Sequence, residues 1–139
     1  MDEEKQRFGV AVKAALYKEG KYLILHKSES KNNPSTYDLP GGRLEFGEKP
    51  EETLVRELLE ETGLEGNIIG IFNTWTSLRD NFQLVGIDFL CKFRSGEEKL
   101  SWEHTELLWK SPEEINDDDN FPEWIKKTII KAEEYRKML

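Results

Sequence analysis

"GGRLEFGEKPEETLVRELLEETGL", residues 41–64, sets glutamates at 45, 48, 51, 52, 57, 60 and 61 around one short segment. The segment reads as a helix over about residues 50–62. Pro50 suits a first helical position, Glu51 and Glu52 suit the positive N-terminal end, and Gly63 suits a left-handed stop. Lys49 is a poor N-cap. Like charges three or four residues apart on a helix repel by roughly 0.2–0.5 kcal/mol per pair. The crowding therefore marks either a solvated surface or a face that holds a cation. At about 100° per residue, Glu57, Glu60 and Glu61 share one narrow face. An apolar stripe of Leu54, Val55, Leu58, Leu59 and Thr62 adjoins it, which places the carboxylates near a sheet. Pro40, Gly41, Gly42 and Gly47 make the preceding loop tight. A tight loop feeding a carboxylate-lined helix suits a hard, oxygen-seeking cation such as Mg²⁺.

Outward from the helix, the chain alternates between strands and turns. "VAVKAALY" (10–17) alternates Val10, Val12, Ala14 and Leu16, and "YLILHK" (22–27) follows the turn "EGK", so a hairpin is expected. "YDLPGG" (37–42) is a short extended piece. "NIIGIFNTWTSLR" (67–79) and "QLVGIDFLCKFR" (83–94) should pair as a long hairpin, with Val85, Ile87, Phe89, Cys91 and Phe93 on one face. A strand is expected near 105–111, then a turn of helix at "PEEI". A last helix is expected within 121–139, with Phe121, Trp124, Ile125, Ile129, Ala132 and Leu139 at helical spacing. The order predicts one α+β domain over 1–139, with a mixed, mostly antiparallel sheet between helices.

The 139 residues suffice for one core. A net charge of −8 argues against nucleic acid as a partner, although divalent cations can bridge an acidic protein to phosphorylated molecules. No apolar run approaches the roughly 20 residues of a membrane span, and "MDEEKQRF" lacks a secretory core. With a single cysteine, Cys91, these features lead to an expected cytoplasmic location.

Gly42, Glu48, Arg56, Glu57, Leu58, Glu60, Glu61, Gly63 and Leu64 fill every defined position of G-x5-E-x7-R-E-U-x-E-E-x-G-U, with U aliphatic. In this the chain resembles the Nudix hydrolases of the MutT-like group, and the resemblance implies an α/β/α sandwich. It also implies Mg²⁺-dependent hydrolysis of the pyrophosphate in a nucleoside diphosphate linked to another moiety, with Mn²⁺ as a substitute. Glu57, Glu60 and Glu61 match the family's metal-ligand positions, with the Gly42 carbonyl as a further ligand. Arg56 would hold neighbouring carboxylates, Glu48 would share that network, and Glu45 is either structural or an extra ligand. The general base is a box glutamate (Glu57 or Glu61) or a glutamate of the loop in "WEHTELLW". There Glu103 is favoured over Glu106, which enters the expected strand.

Substrate signatures are thin. "WTSLRDNF" (75–82) lacks the marker residues of the ADP-ribose and dinucleoside-polyphosphate groups. By elimination the expected substrate is a nucleoside triphosphate, released as monophosphate and pyrophosphate. ADP-ribose, a sugar nucleotide or a dinucleoside polyphosphate is the alternative, and a non-catalytic nucleotide sensor a further one. Lys27 and Arg79 are candidate phosphate contacts, and Phe82, Trp75 or Tyr37 could stack on a base. The chain is expected to act as a monomer or homodimer.

Overall fold

In the computed structural model, residues 5–139 are described, so part of the "MDEEKQRF" segment lies outside them. The strands are β1 (Arg7–Lys18), β2 (Lys21–Lys27), β3 (Thr36–Asp38), β4 (Gly41–Arg43), β5 (Leu64–Arg79), β6 (Phe82–Gly96) and β7 (Glu106–Lys110). The helices are α1 (Pro50–Thr62), α2 (Pro112–Asp117) and α3 (Glu123–Lys137). One mixed sheet runs β3-β2-β1-β6-β5, with β4 beside β1 and β7 beside β2. Every pairing is antiparallel except β1 with β6.

Alternation along the central strands gives the sheet two apolar faces. Val12, Ala14, Leu16, Phe89 and Cys91 pack with Leu54 and Leu58 of α1. Ala15, Tyr22, Ile24 and Leu90 pack with Ile115 of α2, Ile125, Ile129 and Ala132 of α3, and Phe121 between the two helices. A sheet buried on both sides is the sandwich that the sequence predicts, and no described helix is long and apolar enough to cross a membrane.

Three expectations need correction. The first hairpin pairs only at Tyr17↔Tyr22 and Lys18↔Lys21. Beyond that β1 swings away, because β4 takes its edge at Ala11–Lys13 and the Ala14 N–H donates to the Pro40 carbonyl at 2.8 Å. On α1, Val55 and Leu59 are about half exposed, while Thr53, Glu61 and Thr62 are buried. The buried stripe is rotated so that Glu61 faces the sheet. Trp124 on α3 is exposed, as is Leu139 beyond its end, and Thr128 and the Lys126 stem pack inward instead. The Lys126 ammonium is satisfied by the Asn116 carbonyl at 3.0 Å.

Helix α1 begins without a side-chain N-cap, as Lys49 predicts. The Glu52 carboxylate instead accepts from the Lys49 N–H at 2.8 Å. Gly63 ends it at φ 76°, with its N–H on the Leu59 carbonyl at 2.9 Å, a backbone state that glycine adopts freely.

Candidate active site

The short strand β4 and the helix α1 are joined by the 44–49 loop, which folds the loop glutamates back onto the helix. Glu48 accepts from the Glu45 N–H and from the Thr53 hydroxyl, both at 2.9 Å. It also receives a forked pair from Arg56, Nε to Oε2 at 2.8 Å and Nη2 to Oε1 at 3.0 Å. The Arg56 bonds, then the Glu45 amide, hold the Glu48 carboxyl down to about 2. The remaining Arg56 nitrogen, Nη1, donates to Glu57 Oε1 at 2.8 Å and to Glu60 Oε2 at 3.4 Å. Glu45 lies 3.9 Å from Nη2, and its contribution to Glu48 runs mainly through its backbone. Arg56 is thus the cation among the crowded carboxylates, and Glu48 most of all pushes its pKa up.

Glu61 sits apart. It is 9% exposed, and its Oε1 accepts from the Gly41 N–H at 2.8 Å. Burial pushes its pKa up to about 7, against the Gly41 bond; nearby Glu57 raises it further, and Lys13 opposes. Burial also raises Glu57, against the pull of Arg56, with Glu60 and Glu103 adding to the rise.

The three face glutamates do not converge on one point. Among the described residues no three His, Cys, Asp or Glu side chains form a ready cation cage, because Arg56 Nη1 stands between Glu57 and Glu60 and Glu61 turns to an amide. The donor set is nevertheless all oxygen, carboxylates beside peptide carbonyls, which is what Mg²⁺ takes. Glycine keeps the adjoining space open: a Cβ on Gly42 would lie 2.5 Å from Glu57 Cδ, and one on Gly41 would strike the Val12 carbonyl. These residues fit a divalent cation.

The loop before β7 brings the exposed Glu103 within electrostatic reach of Glu57. Glu106 is engaged elsewhere, paired with His26 Nδ1 at 2.8 Å. His104, beside Glu103, has a buried Nδ1 with no hydrogen-bond partner, and burial lowers its pKa. Lys27 is half-buried at the end of β2, near His104. Arg79 and Phe82 lie at the β5–β6 turn, away from the carboxylates, where they line a cavity of about 240 Å³ with Arg43 and Ser77.

A larger cavity, about 620 Å³, opens on the α3 side of the sheet. Lys13, Asp38, Asn73, Trp75, Lys127 and Lys131 are among its walls. Lys13 joins it to the carboxylate face: its Nζ pairs with Asp38 at 2.7 Å while its charge acts on Glu61. Buried Asp88 fixes the wall by accepting from Asn73 Nδ2 at 2.9 Å and Trp75 Nε1 at 3.0 Å. Lys131 donates to Asn73 Oδ1 at 3.0 Å. Apart from Trp75, none of these residues is expected at the site from the sequence. Two signals were present: Lys13 inside "VAVKAALY" and Asp88 inside "LVGIDFLC" are charged positions in strands that are otherwise apolar.

The NUDIX domain family model matches residues 7–131. A MutT-like protein of Streptomyces ambofaciens is 31% identical over 102 residues, spanning 71% of this chain and 60% of that protein. An ADP-ribose pyrophosphatase of Methanocaldococcus jannaschii is 37% identical over 94 residues, spanning 65% of this chain and 54% of that protein. The chain thus spans little more than half the length of these two relatives. The crystal structure of a MutT protein from Methanosarcina mazei Go1 superposes with a TM-score of 0.79 at 29% identity, covering 98% of this chain and 99% of that one. With the complete box folded as one glycine strand, loop and helix, the chain belongs to the Nudix hydrolase family.

Proposed function

We propose that the chain hydrolyses the pyrophosphate bond of a nucleoside diphosphate linked to another moiety, with Mg²⁺ as its metal and Mn²⁺ as a substitute. The observation that carries this is the joining of the carboxylate face to the 620 Å³ cavity through Lys13 and Asp38. Glu57, Glu60, Glu61 and the peptide oxygens of Gly41–Gly42 would hold the metal. When bound, it neutralises phosphoanhydride charge and aids a water nucleophile.

The chain's own groups supply the rest. Arg56 holds Glu57 and Glu60 in their rotamers through Nη1 while Glu48 anchors its other edge. Lys13 presents a cation beside Glu61 for a phosphate oxygen. Trp75 offers its ring as a wall for a base, its nitrogen tied to Asp88. Glu103 takes the proton of the attacking water, since Glu106 is tied to His26.

The nucleoside triphosphate expected from the sequence is the simplest substrate of this kind; the name of the M. jannaschii relative keeps ADP-ribose beside it. Incubation with Mg²⁺ and a panel of triphosphates, ADP-ribose, sugar nucleotides and dinucleoside polyphosphates tests the reading. Turnover of at least one, lost on chelation, is the expected result; a silent panel with nucleotide binding retained would favour a sensor instead.

A further inference from the structure

The cavity does not end at Trp75. Register places cross-strand rows side by side on the α3 face of the sheet. One row is Asn73–Asp88–Lys13–Gly41, the next Trp75–Gly86–Ala11–Arg43, then Ser77–Leu84–Gly9, then Arg79–Phe82–Arg7. Ser77 borders both the 620 Å³ cavity and the 240 Å³ one, so the two adjoin along β5.

Small residues make the floor. A Cβ on Gly86 would strike the Trp75 ring, and one on Gly9 would lie 2.8 Å from the Phe82 ring, so both rings lie against the sheet. At about 3.3 Å per residue step, the strand from Asn73 to Arg79 spans about 20 Å. That exceeds the reach of a leaving pyrophosphate.

The far end is cationic in a protein of net charge −8. The Arg43 guanidinium lies 4.9 Å from the Phe82 ring centroid and that of Arg7 5.8 Å. Among the described residues neither Arg43 nor Arg79 has a carboxylate within ion-pair distance. Guanidinium groups without carboxylate partners beside a cavity suit a phosphate, which they can bind through forked hydrogen bonds.

We infer that this groove carries a second anion subsite, formed by Arg43 and Arg79 beside Phe82. It selects nucleotide pyrophosphates that bear an additional phosphate remote from the scissile linkage. This rests on the proposed reaction at the carboxylate face and names the substrate class that the face would serve.

Matched pairs differing by one phosphate test it: coenzyme A against dephospho-coenzyme A, and NADP⁺ against NAD⁺. Calorimetric binding to the metal-chelated protein should favour the extra-phosphate member by at least about tenfold. In Arg43→Gln/Arg79→Gln that ratio should fall to near one; Arg79→Gln alone, at an exposed strand end, is the second variant and should reduce it. Equal affinities in the unmodified protein, or a preference that survives the double substitution, would overturn the subsite. If the preference holds but Mg²⁺ produces no turnover of either pair or of the triphosphate panel, the subsite stands and the hydrolase reading fails.

Discussion

Arg56 grips Glu48 with two hydrogen bonds, Nε to Oε2 at 2.8 Å and Nη2 to Oε1 at 3.0 Å. The grip leaves Nη1 for Glu57 and Glu60, so one planar group organises three carboxylates. A lysine carries the charge but not the fork. Arg56→Lys should lower kcat at least tenfold and cost about 1–2 kcal/mol of stability, read by initial rates and thermal denaturation. Unchanged rates would show that the clamp does not position Glu57 and Glu60.

Gly42 lies against the Glu57 carboxylate. Gly42→Ala puts a methyl group where Glu57 Cδ and Oε1 now stand, and Glu57 must leave its Arg56 contact. Activity should fall by about two orders of magnitude with only about 1–3 kcal/mol of destabilisation. Parallel assays of rate and unfolding check the split.

Glu61 makes the metal-free protein pH-sensitive. Its folded pKa of about 7 lies above the ordinary 4.5. Between those values the folded protein keeps a proton that the unfolded chain has released. Its contribution to stability is therefore full below 4.5 and is lost as pH rises toward 7. The loss is on the order of 3 kcal/mol. Glu48, held down to about 2, acts oppositely: its contribution is present above 4.5 and is lost as pH falls through 2, outside this window. In chelator, Glu61→Gln should gain stability over the unsubstituted protein between about pH 5 and about pH 8. Mg²⁺ favours the ionised carboxylate and should shrink that gain. Denaturant melts at several pH values measure both.

How far the site was legible follows from these residues. The box glutamates, Arg56 and the bounds of α1 could be read because they lie close along the chain, where helical geometry fixes who meets whom. The faces of β1 and β6 could be read from strict alternation. Divergence of β1 from β2 could not, since it depends on a distant segment, Gly41–Arg43, claiming the β1 edge at Ala11–Lys13. The cavity was only partly legible: Asn73, Trp75 and Asp88 meet across the β5–β6 hairpin, but Lys13 joins them through the parallel β1–β6 pairing and Lys131 through the docking of α3.

Asp88 should act on substrate through Trp75 and Asn73. Asp88→Asn keeps the shape but replaces one acceptor oxygen with a donor, so either the indole or the Asn73 amide loses its partner. The expected result is a several-fold rise in KM for nucleotide with kcat changed less, alongside a shift in Trp75 fluorescence. A fall in kcat alone would place Asp88 nearer the chemistry than its contacts do.

The most direct measurement is the Mg²⁺-dependent rate of Glu60→Gln and Glu61→Gln on a nucleotide that the unsubstituted chain hydrolyses, with circular dichroism to confirm the fold. The account predicts that each loses activity by orders of magnitude while staying folded. Full activity in both would contradict it, because the metal face would then not be the one that Glu57, Glu60 and Glu61 form.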